Sequence, residues 1–541
     1  MTIKIKFFIL FFVLGCIRIL PLVTTDDYMP AGVDNAFQIQ SAQRLIDGKG
    51  LTFIGEYFES NPDISSPNYT YATGWPPGYA LLIAGSMYIG IGLYASMVLI
   101  TFLLTFFVLY GWWLLGDFYN LKKWELISFS LIVFLIMLVR NLIGPTDVFA
   151  LGIFPVIFYI ILKYKLTIRT LVLVGFLSTI IILFKYSALY IITGISLFIV
   201  FSYKKEIGTL IKNLIAYLTL PVISFFVITI INNYKTPSNS ITGFNMANLI
   251  HSFISKFRIE WLFDYLKSIY LGTFRIDDIF TYSFKLIGIY IGNLPFYIFS
   301  LLLLVLTILI SVKLYKRMPV FRDFIILKFC MFTSALLVLL FMSSRIAQQY
   351  WHPLEETRYI IPITPLILLT LFLFFKQLDI NKNLKNLTYI SIVFIVFLFS
   401  IPRIIYDKKK INDFNNIKTD LIYNIESVVN QYDVSVVPVV FSDNDYRSML
   451  FVDTKFNALW DVCVLNKPHY FSKPTIVFII QDLRQIKTLS TQYENLATLR
   501  DKYQSCQNEA LHKTNWSKIE GNGFNLFYYY TNSSQSQFEN K

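Results

Sequence analysis

The chain has 541 residues, of which 55% are hydrophobic and only 15% charged, with a net charge of +13. Soluble domains carry about 25% charged residues, so this composition excludes an ordinary string of water-soluble domains and points to lipid as the main solvent. No basic stripe interleaved with aromatics runs along the sequence, which argues against a nucleic-acid partner; the positive balance fits cytoplasmic loops and membrane lipid head groups.

The first element reads MTIKIKFFILFFVLGCIRILPLV. Lys4 and Lys6 ahead of an apolar run resemble the start of a signal peptide, but the run is long and no small-residue cleavage site follows. The reading is an uncleaved helix with its N-terminus inside. A bilayer-spanning helix needs about 20 mostly apolar residues. Such runs lie near 7–24, 92–115, 125–142, 146–162, 169–184, 187–202, 211–231, 286–312, 325–342, 359–375 and 387–402, about eleven spans. The connections assigned to the inside hold Lys122 and Lys123, then Lys163, Lys165 and Arg169, then Lys204 and Lys205. Next come Lys313, Lys316, Arg317, Arg322 and Lys328, and last Lys376, Lys382 and Lys385. Alternate loops carry fewer cations for their length, the positive-inside pattern. An odd number of spans places everything after residue 402 outside. The expected architecture is an all-α polytopic membrane domain over 1–402 and a small extracytoplasmic α/β domain over 403–541. The Ile/Asn/Lys-rich usage and the lack of an obvious retention signal place it in a bacterial plasma membrane.

Polar sequence is concentrated in the segments assigned to the outside, 25–91, 232–285, 343–358 and everything after 402, and chemistry is expected there. In the first, Asp34 stands before a run with helical spacing of apolar residues, from Asn35 to Asp47, closed by Gly48 and Gly50. It reads either as the N-cap of an amphipathic interfacial helix or as a catalytic acid or base. GWPPGYALLIAG follows, with prolines that initiate a helix too short to span, and with Trp75 suited to the head-group level. Asp147 opens the fourth span, as cap or as functional acid. Lys185, in the short turn of LFKYSALY, either anchors to lipid phosphate or binds a substrate phosphate. Arg358 enters the membrane at RYIIPITP, as an interfacial anchor or as a bidentate phosphate ligand. Glu355 and Glu356 beside it would orient it, or would bind a metal or an acceptor. His352 is a lone histidine. A divalent metal is therefore an open option, and the sequence points to no other cofactor.

After 402, VSVVPVVFS and PTIVFII read as short buried strands, DLRQIKTLSTQYENLATLRDKY as a helix and GFNLFYYYT as a last strand. No phosphate-binding glycine loop and no nucleophile elbow occur there. Cys463 and Cys506 lie in this segment, as a disulfide if it is exported or as two thiols. Cys16 and Cys330 lie in apolar runs.

Together these segments resemble the GT-C superfamily of membrane glycosyltransferases, in particular its protein O-mannosyltransferase and lipid A aminoarabinose transferase branch (glycosyltransferase family 39-like). The resemblance is carried by Asp34 with Ala42, Leu45 and Gly48, by Pro76-Pro77-Gly78-Tyr79, by Asp147, and by Arg358, Tyr359, Pro362 and Pro365, over most of residues 1–375. Asn35 stands where such proteins often have a second acid, and Trp75 where the aminoarabinose branch has lysine. The resemblance implies a GT-C-like fold and an inverting transfer of a hexosyl or pentosyl group. The donor would be a polyprenyl-phosphate sugar and the acceptor a lipid, glycan or protein. Asp34 would be the general base, and Arg358, Lys185, Asp147, Glu355, Glu356 and Tyr359 would bind substrate. Two other classes fit the same topology: a transporter or flippase of a lipid-linked sugar, and a non-catalytic cell-envelope polysaccharide assembly protein.

Overall fold

The computed structural model describes residues 3–23, 33–54, 63–66, 69–72, 76–139, 145–235, 258–272, 292–346, 359–378, 381–432, 436–442, 457–459, 462–467, 469–483, 494–513 and 515–531. Two compact units divide the chain: Met1–Thr24 with Met97–Asp407, and Thr25–Ser96 with Lys408–Lys541. The segment 25–91 and the C-terminal segment, kept apart in the sequence reading, thus share one unit.

In chain order the elements begin with α1 (Ile3–Val23), α2 (Val33–Ile46), the hairpin strands β1 (Thr52–Ile54) and β2 (Tyr69–Tyr71), and α3 (Gly78–Tyr88). Then come α4 (Leu93–Phe118), α5 (Lys123–Val139), α6 (Pro145–Tyr164), α7 (Ile168–Phe184), α8 (Leu189–Tyr203) and α9 (Ile207–Lys235). They continue with α10 (Glu260–Tyr270), α11 (Leu294–Arg317), α12 (Arg322–Ile346), α13 (Ile363–Gln377) and α14 (Lys382–Val429). The rest are β3 (Val437–Phe441), β4 (Asn457–Leu459), β5 (Thr475–Asp482), α15 (Glu494–Lys513), β6 (Ser517–Gly521) and β7 (Phe524–Thr531).

A helix stands at each of the apolar runs named above. Six helical segments among the described residues are long and apolar enough to cross a membrane: Leu93–Phe118, Thr146–Tyr164, Tyr186–Tyr203, Ile207–Ile231, Leu294–Arg317 and Pro319–Ser343. That length and composition make this an integral membrane protein. Ile168–Phe184 and Ile363–Gln377 are shorter apolar helices.

Within the helical unit, close packing depends on small residues at the crossings. A Cβ on Gly175 of α7 would lie 2.4 Å from the Tyr217 carbonyl oxygen of α9, and one on Gly194 of α8 would lie 2.6 Å from Met331 Sδ of α12. Trp112 of α4 donates its indole N–H to the Leu151 carbonyl of α6 at 3.0 Å. At the start of α5, Glu125 reaches back to the Lys122 backbone N–H at 2.7 Å, satisfying a donor the helix cannot use. Lys328, counted above with the loop cations, is instead buried in α12, where it donates to Ser311 Oγ at 2.6 Å and Thr370 Oγ1 at 3.1 Å.

The other unit is built around a five-stranded sheet of order β4-β3-β5-β7-β6. Strands β4, β3 and β5 are parallel, and β7 and β6 run antiparallel to their neighbours. Side chains alternate between the faces of a strand, so β5 sends Ile476, Phe478 and Ile480 to one face and Val477 and Ile479 to the other. The first set packs with Ile417, Leu421, Ile425 and Val428 of α14. The second packs with Ala510 of α15, with Val462, Val464 and Leu465, and with Ala36 and Phe37 of α2. Cover on both faces explains why these strands read as unbroken apolar runs. Asn522–Gly523 forms the two-residue turn between β6 and β7, and Gly523 takes φ +84°, where a side chain would strain the backbone.

The segment 482–503 was expected to be helical; the described helix there is α15, which begins at Glu494 and runs on to Lys513. Strands β4 and β6 had no counterpart in the sequence reading. Position 402, the expected domain boundary, falls inside the unbroken helix α14. Cys463 and Cys506 form a disulfide that ties the 3-10 turn Val462–Asn466 to α15.

Candidate functional site

Helix α2 begins at Val33, so Asp34 lies in its first turn and not before it. Negative charge is favoured there by the helix dipole. The expected amphipathic helix with a solvated polar side is replaced by one buried on both sides: Asn35, Gln38, Gln40, Ser41 and Arg44 are buried along with Ala36, Phe37, Ile39 and Ala42. Arg44 fastens α2 to the β1–β2 hairpin. Its Nε donates to Thr52 Oγ1 at 2.8 Å, and its guanidinium carbon lies 3.3 Å from the centre of the Tyr69 ring. Phe37 meets Phe53 with ring centres 4.5 Å apart.

The second cluster lies in the helical unit, where α6 and α7 are packed neighbours. Pro145 occupies the first position of α6, where its missing N–H costs nothing, and Asp147 follows within the first turn. Helix α7 starts at a Thr167 cap, whose hydroxyl accepts the Thr170 N–H at 3.3 Å. It ends where Lys185 turns extended and gives its N–H to the Ile181 carbonyl at 2.8 Å. One helix start and one helix end therefore present an acid and a base with the signs their dipoles favour. Asp147 and Lys185 form a hydrogen-bonded ion pair. At 9% and 8% exposed, both are largely removed from water. The Lys185 ammonium also lies 4.9 Å from the centre of the Tyr359 ring, the residue that leads into α13. Phe149 and Phe184 stack at 3.8 Å between centroids, one from each helix of the pair.

Two further hydroxyls lie in the break between α7 and α8 and at the start of α8. Ser187 Oγ and Tyr190 OH are buried with no hydrogen-bond partner among the described residues. Buried hydroxyls without partners are uncommon in finished cores and are suited to a polar ligand.

No protein-family model matches the sequence, and no characterised protein matches it in a sequence search. Among solved structures, the chain aligns with the Archaeoglobus fulgidus oligosaccharyltransferase tethered to an acceptor peptide containing the NVT sequon. That alignment has a TM-score of 0.45 and 11% identity and covers 98% of this chain and 74% of that one. It also aligns with the A. fulgidus oligosaccharyltransferase AglB in complex with an inhibitory peptide and a dolichol-phosphate. Here the TM-score is 0.44 and the identity 12%, over the same shares of the two chains.

Of the residues singled out in the sequence, the structure brings together Asp147, Lys185 and Tyr359. Asp34 belongs to the other compact unit. Arg358, Glu355, Glu356 and His352 lie outside the described residues, as does Trp75. Among the described residues no group of three or more His, Cys, Asp or Glu side chains gathers to hold a metal ion. Sequence reasoning missed Ser187 and Tyr190, although the signal was present: KYSALY places Lys185, Tyr186 and Ser187 between two apolar helices and Tyr190 at the start of the second.

Proposed function

We propose that the protein is a membrane glycosyltransferase that moves a hexosyl or pentosyl group from a polyprenyl-phosphate donor to an acceptor outside the cytoplasm, with inversion. The observation that carries this reading is the buried Lys185–Asp147 pair facing Tyr359, with the hydroxyls of Ser187 and Tyr190, which lack partners among the described residues, in the break before α8 and at its start. Asp147 holds the Lys185 ammonium in place, and the hydroxyls of Ser187 and Tyr190 are groups suited to phosphate oxygens. Burial makes each of these interactions stronger than it would be in water.

In the proposed reaction Asp34 takes the proton of an acceptor hydroxyl. The acceptor oxygen attacks the anomeric carbon from the face opposite the phosphate, forming the new glycosidic bond. The bond from that carbon to the phosphate oxygen breaks, and its electron pair leaves with the polyprenyl phosphate. Lys185 and Arg358 stabilise the departing charge. The Cys463–Cys506 disulfide favours an oxidising compartment for the sheet-containing unit, in keeping with chemistry outside the cytoplasm. About eleven spans with the N-terminus inside, in a bacterial plasma membrane, complete the reading.

The test is release of polyprenyl phosphate by purified protein from a panel of polyprenyl-phosphate monosaccharides with a membrane acceptor extract. Wild type should release it; Asp34→Asn and Arg358→Ala should not. Absence of release by folded wild type, with movement of a labelled lipid-linked sugar across vesicles, would replace the transferase with a flippase.

A further inference from the structure

Asp63 is an acid that the proposed chemistry does not use, and its carboxylate accepts five hydrogen bonds from described residues. It lies between β1 and β2 and is 7% exposed. From its own segment it accepts the Ser65 N–H at 3.0 Å, the Ser65 hydroxyl at 2.6 Å and the Ser66 hydroxyl at 2.6 Å. From the segment leading into β5 it accepts the Ser472 N–H at 3.1 Å and the Ser472 hydroxyl at 2.5 Å. Backbone contacts close the junction: Ile64 N–H donates to the Tyr470 carbonyl at 3.1 Å, and Lys473 N–H to Ser65 Oγ at 3.2 Å. Residues more than 400 positions apart in sequence are thereby joined through one carboxylate. Burial works against its charge, but the hydroxyls of Ser472, Ser65 and Ser66 outweigh that and hold the carboxyl at about 2, below its usual 3.8.

The junction sits on the core that holds α2. Ile64, next to Asp63, packs in one cluster with Ala36 and Phe37 of α2, Phe53 of β1, and Val439, Phe441, Val477 and Ile479 of the sheet. Apolar packing of this kind attracts without fixing direction; hydrogen bonds at 2.5–3.1 Å fix register. Ala36 and Phe37 are the second and third residues after Asp34, so what locates them locates the backbone of Asp34.

We infer that Asp63 is a positioning residue for the transfer reaction: its junction with Ser472 makes the C-terminal sheet the platform that sets helix α2, and with it Asp34. The inference rests on the reading of Asp34 as the base. A misplacement of about 1 Å is enough to cost a reaction on the order of a hundredfold. Because Lys185 and Arg358 bind the donor phosphate in that reading, loosening the junction should slow turnover and leave donor binding alone.

The experiment uses full-length protein in detergent, as wild type, Asp63→Asn and Ser472→Ala, with hydrogen exchange and donor turnover measured side by side. The expected result is exchange of the amides of residues 36–46 at least about tenfold faster in both variants, with amides of α6–α8 unchanged. With it, kcat should fall about tenfold or more at unchanged KM for the donor. Unchanged exchange in α2 while the Ser472 amide loses protection would overturn the inference. So would unchanged kcat with α2 loosened, or a rise in KM alone. If wild type releases no polyprenyl phosphate from any donor, the functional reading fails, and Asp63 loses its catalytic relevance with it; the exchange data then still decide whether the junction holds α2.

Discussion

Asp147 in one compact unit and Asp63 in the other are both buried carboxylates, and they are partnered in different ways. Asp147 stands among helices and is met by the ammonium of Lys185. Asp63 stands among loops and strands and is met by two backbone N–H groups and three serine hydroxyls, all neutral. The difference follows from what each setting offers. Asp147 lies in the first turn of α6 and meets the ammonium of Lys185, at the end of α7. A loop leaves N–H groups over, and several neutral donors can replace a charge. The first arrangement is a buried ion pair between two helices; the second is a joint between two distant segments.

The largest effect expected from this contrast is on the helical side. Asp147→Ala removes the carboxylate from beside the buried Lys185 ammonium and should cost about 3–5 kcal/mol, whereas Asp147→Leu with Lys185→Met should be close to neutral. Thermal unfolding in detergent compares the two, and equal losses would mean that the pair is not desolvated. On the other side, Cys463→Ser with Cys506→Ser opens a 43-residue separation and should cost about 2–4 kcal/mol, read as a lower unfolding temperature without added reductant. Asp63→Asn should cost about 1–3 kcal/mol at neutral pH, because it leaves several donors poorly matched.

That last contribution has a sign in pH. The folded carboxyl of Asp63 is held below its ordinary value, so its stabilisation is complete above about pH 4 and fades as pH falls toward 2. The stability gap between wild type and Asp63→Asn should narrow across that window. A gap that stays constant down to pH 2 would exclude the carboxylate as its source. The smallest effect is expected at Arg44→Lys, which gives up stacking on Tyr69 and the Nε bond to Thr52 for about 1 kcal/mol of thermal stability.

Much of the fold was legible because lipid and sheet impose simple patterns. Apolar runs of membrane length became helices, and the all-apolar stretches VPVVF and TIVFII became strands covered on both faces. The short strands β4 and β6 were not legible, because three residues of NAL and the polar SKIEG show no such pattern. Lys328 misled for a related reason: a cation near a helix end reads as loop, and only the hydroxyls of Ser311 and Thr370, from two other helices, make its burial tolerable. At the site, Asp147 and Lys185 were each visible as charges at helix ends. Their pairing was not, since it depends on α6 and α7 lying side by side. Asp63 gave no signal at all, because its partner Ser472 is supplied from the far end of the chain.

The central claim is that the buried pair serves a phosphate and not only the packing of α6 against α7. The measurement that tests it most directly is polyprenyl-phosphate release by wild type and by the Lys185→Met, Asp147→Leu double variant, at matched folded fraction. The account predicts release by wild type and its loss in a double variant that unfolds at nearly the same temperature. Full release by that variant would contradict it.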